Sequence, residues 1–475
     1  MNSRRPMTDS NDSSLRKIPS IDSLLNDPAL NDVLNIAPRK IVVDFVRDAV
    51  ASVRESFGGR GEKNIDEAAV RHSIIDDVRI RAERLMRPHY RRVINATGII
   101  LHTGLGRAVL PKRAMERINN ALSGYSLLQV DIETGKRSRR DWRIEWLIKQ
   151  LTQAESATVV NNNAAATAIV LNTVAKDKEV IVSRGQLVEI GGSFRLPDVM
   201  AFSGAKLVEV GTTNRTHAYD YTNAITENTA AIMRIHPSNY KIEGFTLEVP
   251  LEEIVEIAHS KGLIMIDDVG SGAMIDFSRF GFAPEPTIIE SIQKGADIVT
   301  CSGDKLIGAS QAGIIAGKTN LIEKIRKNQF MRIVRPGKLT LAALEATLEM
   351  FLDEQQALTE IPTLEMLLRD KGRIAEQAQR MVKSIKSSAK HAEVMTIDGF
   401  SQMGSGSLPA QDLPTCLIAI KPANMGAETF ATRLRGWAMP IFARIEKEMV
   451  LIDPRTLRPD DEKEVVEAIV NILSG

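Results

Sequence analysis

The sequence is poor in cysteine, in net charge and in long apolar stretches. Cys301 and Cys416 are its two cysteines, which argues against a disulfide framework and favours a reducing cytoplasm. A net charge of +1 gives no bulk field for nucleic acid, so DNA is not expected as a partner and any basic surface has to be local. No stretch approaches the roughly 20 apolar residues of a membrane span, and no apolar run follows the two N-terminal arginines as in a secretory signal. We therefore expect a cytoplasmic protein without a membrane partner.

The length of 475 residues predicts two or three domains. Residues 1–16 are polar and are expected to be a disordered tail. Residues 17–88 are expected to form a helical N-terminal domain, with helical apolar spacing over about residues 21–34, 38–57 and 66–86. We assign residues 89–338 to a large domain, and residues 339–475 to a linker helix and a small C-terminal domain.

From about residue 94, short and nearly continuous apolar runs alternate with helical stretches. Seven such runs occur, at residues 157–160, 179–182, 206–210, 230–235, 262–267, 297–300 and 312–316. Runs of this kind are typical of strands buried on both faces of a mostly parallel sheet. Their alternation with helices predicts an open, seven-stranded α/β sheet whose site lies at the carboxyl ends of the strands.

A second, smaller α/β pattern follows this large domain. A long helical region at about 339–386 leads into further strand signals, at residues 393–397, 415–420, 441–444 and 449–452. A last helix is predicted over about 460–473. These elements predict a small α/β domain at the C-terminal end.

An aspartate and a lysine follow two neighbouring strands of the large domain. Asp268 comes after the run that ends at Asp267, and Lys305 follows the next strand, 37 residues further on. Taken singly, the lysine would be read as a surface residue and the aspartate as a turn or helix cap. Together they suit pyridoxal phosphate, which needs a lysine amine for its Schiff base and a carboxylate at its pyridine nitrogen. The lysine also needs a lowered pKa, through burial or cationic neighbours.

Three consecutive asparagines, Asn161, Asn162 and Asn163, follow the first strand of this sheet and open a helix of small residues. Helix N-termini bind phosphate, and small residues let the backbone approach a ligand. An asparagine cap on a closely packed alanine helix is the alternative. We expect these asparagines to bind the cofactor, and we predict no metal site.

Two arginine-rich segments are candidates for binding an anion. Residues 326–338 form a basic cluster after the last strand of the sheet, and residues 102–107 form a glycine-rich turn that ends in Arg107. Arginine binds phosphate-like anions through two parallel hydrogen bonds. A solvated charged surface is the alternative for both segments.

These segments resemble the bacterial selenocysteine synthases, the L-seryl-tRNA(Sec) selenium transferases. The resemblance covers essentially the whole chain, and it rests on residues 94–103, 131–137, 187–195 and 302–306 and on the Asp268 segment. It implies a fold-type I pyridoxal-phosphate enzyme in which Lys305 carries the cofactor and Asp268 pairs with the pyridine nitrogen.

The resemblance further implies the substrates and the assembly. Arg107, Arg332 and Arg335 would bind the anionic selenium donor, selenophosphate, and Asp304 is a further candidate for the donor or proton-transfer site. The N-terminal domain would hold seryl-tRNA(Sec), and the chain would form a homo-oligomer, a ring of dimers that makes a homodecamer. The reaction would be a β-replacement, in which the seryl hydroxyl is lost as water and selenium adds at Cβ. The sequence does not identify the acid that assists departure of the hydroxyl.

The third N-terminal helix and its exit carry a local excess of basic residues. The arginines concerned are Arg71, Arg79, Arg81, Arg84, Arg87, Arg91 and Arg92. They could contact tRNA phosphates, and an ordinary solvated helix is the alternative.

Two other functions remain open. One is a pyridoxal-phosphate lyase acting on a small free amino acid, which would not need the N-terminal domain. The other is a catalytically silent RNA-binding protein, against which the intact Asp268 and Lys305 argue.

Overall fold

The computed structural model describes residues 18–60, 66–192, 194–389, 391–404, 407–409 and 411–474. The tail predicted at residues 1–16 lies outside this described part. The chain divides into two compact units, Met1–Arg92 and Val93–Gly475. No helix in the described ranges is both long and apolar enough to cross a membrane.

The N-terminal unit is helical, as its apolar spacing predicts. Its helices are α1 (Ile21–Leu25), α2 (Asn31–Ile36), α3 (Arg39–Arg60) and α4 (Glu67–Met86). The first predicted helix is interrupted at Pro28, which lacks an amide N–H and begins a separate 3₁₀ turn capped by the Asp27 side chain. Asp66 caps α4 by accepting the N–H of Ala68.

The large sheet of the second unit has seven strands. They are β3 (Ser156–Val160), β4 (Glu179–Ser183), β7 (Lys206–Val210), β8 (Thr229–Ile235), β9 (Ile264–Gly270), β10 (Ile298–Ser302) and β11 (Gly313–Gly317). Their order is β3-β11-β10-β9-β8-β4-β7. All neighbours are parallel except β11, which is antiparallel to both β10 and β3. The predicted mostly parallel seven-stranded sheet is therefore confirmed.

Helices and one short hairpin precede, connect and follow these strands. They are α5 (Lys112–Leu122), α6 (Trp142–Thr152), α7 (Asn163–Val174), β5 (Glu189–Ile190), β6 (Phe194–Arg195), α8 (Leu196–Ser203), α9 (Ala218–Ala224), α10 (Leu251–Ser260), α11 (Ile288–Gln293) and α12 (Thr319–Lys327). Strands β3, β10 and β11 are buried at every position. This burial explains why their sequences are apolar without alternation.

The predicted helical region after residue 338 consists of four helices. They are α13 (Lys338–Met350), α14 (Glu354–Glu360), α15 (Pro362–Leu368) and α16 (Lys371–Ser388). The buried residues of α16 are Ile374, Ala378, Met381 and Ile385, which form one stripe at helical spacing. The stripe belongs to the apolar core that also contains Ile418 and Ile420 of the following sheet.

The small sheet is built from both ends of the second unit. This sheet and the elements around it comprise β1 (Ile94–Asn95), β2 (Ile99–Leu101), β12 (Ala392–Gly404), β13 (Asp412–Pro422), α17 (Ala427–Arg435), β14 (Ile441–Phe442), β15 (Arg444–Glu446), β16 (Met449–Ile452) and α18 (Asp461–Ser474). The strand order is β15-β16-β13-β12-β2, and β1 pairs separately with β14. Strands β1 and β2 fall in the range assigned to the large domain, yet they bond to C-terminal strands. The boundary at residue 338 stays a prediction.

Candidate active site

A cavity of about 340 Å³ lies at the carboxyl ends of the central strands. Its polar and charged lining includes Thr103, Arg107, Asn162, Asn163, His236, Ser238, Asp268, Ser302, Asp304, Lys305 and Gln311. The sheet order places β8, β9 and β10 side by side. This is the edge at which open α/β sheets bind ligands.

Asp268 lies inside β9 rather than just beyond it. The prediction that the strand ends at Asp267 is wrong, because Asp268 pairs with Thr300 of β10 and with Ile235 of β8. Its Oδ1 accepts hydrogen bonds from Asn163 Nδ2 at 2.8 Å and from the Gly270 N–H at 3.0 Å, and its Oδ2 accepts one from the Thr167 hydroxyl at 3.2 Å. Burial raises the pKa of Asp268, while these donors and the charge of Lys305 oppose the rise.

Lys305 is 4% exposed and lies in the turn after β10. Hydrogen bonds on both sides fix this turn: the Leu306 N–H donates to the Ser271 carbonyl at 3.1 Å, and the Gly308 N–H donates to the carbonyl of Lys305 at 3.0 Å. Burial lowers the pKa of Lys305, Asp268 opposes the fall, and Arg107 lowers it further. A lowered pKa is what a nucleophilic lysine requires.

The three asparagines occupy different positions. Asn162 caps α7, its Oδ1 accepting the Ala165 N–H at 2.8 Å, and the amide of Asn163 holds Asp268. Asn163 Oδ1 is buried and has no hydrogen-bond partner. Asn161 is exposed, is not among the residues that line the cavity, and donates its N–H to the Val334 carbonyl at 2.8 Å. Asn162 and Asn163 therefore meet the cavity, whereas Asn161 joins the strand end to the segment near Arg335.

Arg107 and Asp304 form an ion pair in the cavity wall. The Arg107 guanidinium donates to Asp304 Oδ2 at 2.9 Å, and Arg107 Nε is buried without a hydrogen-bond partner. An unpartnered guanidinium nitrogen beside a cavity is suited to an anion.

Arg332 and Arg335 lie elsewhere in a single chain. Arg332 is exposed at the end of the turn Gln329–Arg332. Arg335 lines a separate cavity of about 210 Å³ with Arg140. Burial and the like charges of Arg335, Arg137 and Arg332 lower the pKa of Arg140. The structure thus brings Arg107 to Lys305 and gathers the other arginines into a second cationic cluster.

His236, which lines the cavity, and its partner Glu285 were not predicted from the sequence. His236 directly follows β8, and its N–H donates to the backbone carbonyl of Asp268 at 2.9 Å. Its Nε2 lies 3.4 Å from Oε2 of Glu285, whose side chain is 1% exposed. A polar residue directly after a buried strand is the signal that identified the aspartate and lysine, and it would have found His236. Nothing local in the sequence marks Glu285.

The residues present fit pyridoxal phosphate. Lys305 offers a buried amine, Asp268 a buried carboxylate held by three donors, and the Asn162-capped start of α7 offers free N–H groups for a phosphate. A volume of about 340 Å³ is in the range of small-molecule sites. Among the described residues, no group of three or more His, Cys, Asp or Glu side chains is arranged to hold a metal ion.

Known proteins match the chain along nearly its whole length. A family model described as L-seryl-tRNA selenium transferase matches residues 93–458, and one described as selenocysteine synthase N terminal matches residues 15–54. The L-seryl-tRNA(Sec) selenium transferase of Alkaliphilus metalliredigens is 46% identical over 464 residues, which are 96% of this chain and 98% of the relative. The enzyme of the same name from Clostridium botulinum strain Loch Maree is 44% identical over 459 residues, 97% and 98% of the two chains.

A solved structure supports the fold. The structure of D-glucosaminate-6-phosphate ammonia-lyase matches with a TM-score of 0.56 and 20% identity, over 83% of this chain and 99% of that one. At this identity the match speaks for the architecture alone.

Proposed function

The chain belongs to the L-seryl-tRNA selenium transferase family, and from that premise we propose that it converts seryl-tRNA(Sec) to selenocysteinyl-tRNA(Sec). It is a pyridoxal-phosphate-dependent transferase. The observation that carries the proposal is the buried Asp268 and Lys305 pair in one cavity of a chain that matches the family along nearly its whole length. A lyase acting on a small free amino acid is not favoured, because the curated relatives that cover 96–97% of this chain are selenium transferases.

Lys305, Asp268, Asn162 and Asn163 are the proposed cofactor-binding residues. When bound, pyridoxal phosphate withdraws electron density from the seryl Cα and stabilises the negative charge that forms there. Asp268 would support this role by holding the ring nitrogen with its carboxylate. Lys305 removes the Cα proton, for which its lowered pKa favours the neutral, proton-accepting amine. Asn161 contributes through its backbone bond to Val334, which fixes the start of this loop.

Selenophosphate is the proposed selenium donor, and Arg107 is its proposed contact beside Lys305. The unpartnered Nε of Arg107 supports this, as does its ion pair with Asp304, which orients the guanidinium. Arg332 and Arg335 are proposed to join the donor site. Because they lie outside the Lys305 cavity of their own chain, this role requires a second copy to supply them. We accordingly retain a homo-oligomer, a ring of dimers, as the proposed assembly.

The N-terminal unit is the proposed tRNA-binding domain, and its arginines do not contribute equally. Three arginines of α4 are engaged within the unit, Arg71 with Asp27, Arg79 with Asp76 and Arg81 with Asp77. Arg84 and Arg87, at the end of the same helix, are exposed and form no ion pair with any residue that the structure describes. They are the proposed phosphate contacts. The proposed location is the cytoplasm, where Cys301 and Cys416, both buried and unpaired, would remain reduced.

Binding of seryl-tRNA(Sec), compared with seryl-tRNA(Ser), tests the proposal. We expect clear preference for seryl-tRNA(Sec), and selenium transfer to it from selenophosphate in a single-turnover assay. Equal binding of the two tRNAs, or release of pyruvate from free serine without transfer to tRNA, would favour the free-amino-acid lyase instead.

A further inference from the structure

His236, which lines the cavity, forms a largely buried pair with Glu285, which lies outside the cavity lining, and the roles proposed above leave both without a function. The side chain of His236 is 19% exposed and that of Glu285 is 1% exposed. Their 3.4 Å approach is longer than a hydrogen bond, and both His236 Nε2 and Glu285 Oε1 are buried without a hydrogen-bond partner. Buried polar atoms without partners are costly in a folded protein and call for a reason.

The pair is held close to the reacting groups. The backbone N–H of His236 donates to the backbone carbonyl of Asp268. This bond holds His236 at the end of β8, the strand next to β9. His236 lines the cavity together with Lys305 and Asp268. The charge of Glu285 reaches Lys305 and opposes the fall in that lysine's pKa. A buried carboxylate beside an imidazole stabilises its protonated form by direct attraction.

The other titratable groups of the cavity have partners or roles of their own. Asp304 accepts a hydrogen bond from the Arg107 guanidinium at 2.9 Å, and a guanidinium does not give up a proton near neutral pH. Asp268 and Lys305 are occupied with the ring nitrogen and the Cα proton. Among the described titratable residues that line the cavity, His236 remains, and imidazole is the side chain that exchanges protons near neutral pH.

We propose that His236 is the general acid that protonates the departing seryl hydroxyl, and that Glu285 is a positioning residue that stabilises the imidazolium. This inference rests on the proposed function. In the step, Lys305 takes the Cα proton and the Cα–H electron pair forms the Cα–Cβ double bond. The Cβ–O bond breaks, and its electron pair leaves on oxygen, which receives the His236 proton and departs as water. The proton held by Lys305 then restores the imidazolium, so the step removes one water without net change in the enzyme.

The test compares two leaving groups with the full-length holoenzyme. Seryl-tRNA(Sec) needs a proton on its leaving oxygen, whereas β-chloroalanyl-tRNA(Sec) releases chloride, which does not. We expect His236→Gln to slow elimination from the seryl substrate by about 10²- to 10⁴-fold, the usual range for a lost general acid, and to slow elimination from the chloro substrate far less. Glu285→Gln should also slow elimination from the seryl substrate more than from the chloro substrate, but by a smaller factor than His236→Gln.

A matched pair and a binding measurement separate this role from a structural one. His259 and Asp297 form a second histidine–carboxylate pair, with Nε2 3.1 Å from Oδ2, outside the cavity lining, so His259→Gln should leave both rates near wild type. Titration of the apo-proteins with pyridoxal phosphate should give His236→Gln a wild-type dissociation constant. If His236→Gln slowed elimination from both substrates equally, the inference would be overturned and the proposed function would stand. The same holds if His236→Gln bound pyridoxal phosphate more weakly and showed no difference between the two leaving groups. A wild-type enzyme that eliminates from neither aminoacyl-tRNA would overturn the proposed function, and this inference with it.

Discussion

Replacing Asp268 by asparagine changes the charge at the proposed ring-nitrogen contact while leaving the shape of the site almost intact. Oδ1 of Asp268 accepts two N–H donors, from Asn163 and Gly270, so the asparagine oxygen has to keep that side. The new NH₂ then takes the place of Oδ2 beside Thr167. The Thr167 hydroxyl can accept from it, because its own proton can go to the Asn163 carbonyl, 3.1 Å away. The variant is therefore expected to fold.

The expected loss falls on cofactor binding and turnover. In Asp268→Asn, an amide NH₂ takes the place of the carboxylate oxygen at the protonated ring nitrogen. Both groups are hydrogen-bond donors, so the substitution replaces an attraction by a repulsion. A hydrogen bond to a charged group contributes about 1.5–3 kcal/mol. Its loss corresponds to about a 10- to 150-fold increase in the dissociation constant of the cofactor. Turnover should fall further, because an unprotonated ring is a weaker electron sink.

Asp267 supplies the matched control. It is the preceding residue of β9, it is fully buried, and its carboxylate binds Arg234 with two contacts of 2.7 Å on the other side of the strand. Asp267→Asn should lower the midpoint of thermal unfolding and leave the cofactor dissociation constant, measured by titrating apo-protein, near wild type. Wild-type cofactor affinity in Asp268→Asn, or equal weakening in both variants, would refute the reasoning.

Three further predictions concern the other proposed roles. Lys305→Ala should abolish covalent retention of the cofactor after borohydride reduction, because the buried amine is gone, as mass spectrometry of the denatured chain would show. Arg107→Ala should raise the KM for selenophosphate by about 10-fold or more, since a charge-assisted contact is lost and the Asp304 carboxylate is left unpaired; steady-state kinetics measure it. The double variant Arg84→Ala, Arg87→Ala should weaken tRNA binding. The slope of log K against the logarithm of the salt concentration should fall in magnitude by about 2, one for each lost phosphate contact. Binding curves at several salt concentrations measure both.

Each of these predictions has a contrary outcome, and the first and third also have a control variant. Lys324→Ala, at an exposed lysine of α12, should keep the covalent cofactor, and retention in Lys305→Ala would disprove the lysine assignment. An unchanged donor KM in Arg107→Ala, Arg332→Ala and Arg335→Ala alike would contradict the anion-site assignment. The exposed pair Lys383→Ala, Lys386→Ala removes the same charge from α16. If it weakened tRNA binding as much, general electrostatics rather than α4 would be responsible.

The sheet and its main chemistry could be predicted because their signals are local. Strands buried on both faces must be apolar at successive positions, and β3, β10 and β11 are buried throughout. Asp268 and Lys305 stood out because their side chains are unusual next to such runs. Pro28 also marks a helix boundary locally, although the periodic pattern ran across it.

The features that escaped prediction depend on partners that are distant in sequence. Strand β2 pairs with β12, whose residues follow some 300 positions later, and no short pattern encodes that pairing. His236 gains its meaning from Glu285, a carboxylate that is buried only because the fold brings it there. Arg335 belongs to a basic segment in the sequence, but its position relative to Lys305 depends on the path of the chain after β11.

The backbone of β9 links the groups on which the proposed chemistry depends. At Asp268 the side chain is held by α7, and the main-chain carbonyl receives the N–H of His236. The residues pairing with this position on β8 and β10 lie directly before His236 and shortly before Lys305. A shift of β9 would therefore move the proposed base, acid and ring contact together. Asp268→Asn keeps this backbone and alters only charge, so its effect on turnover measures electrostatics with the geometry held constant.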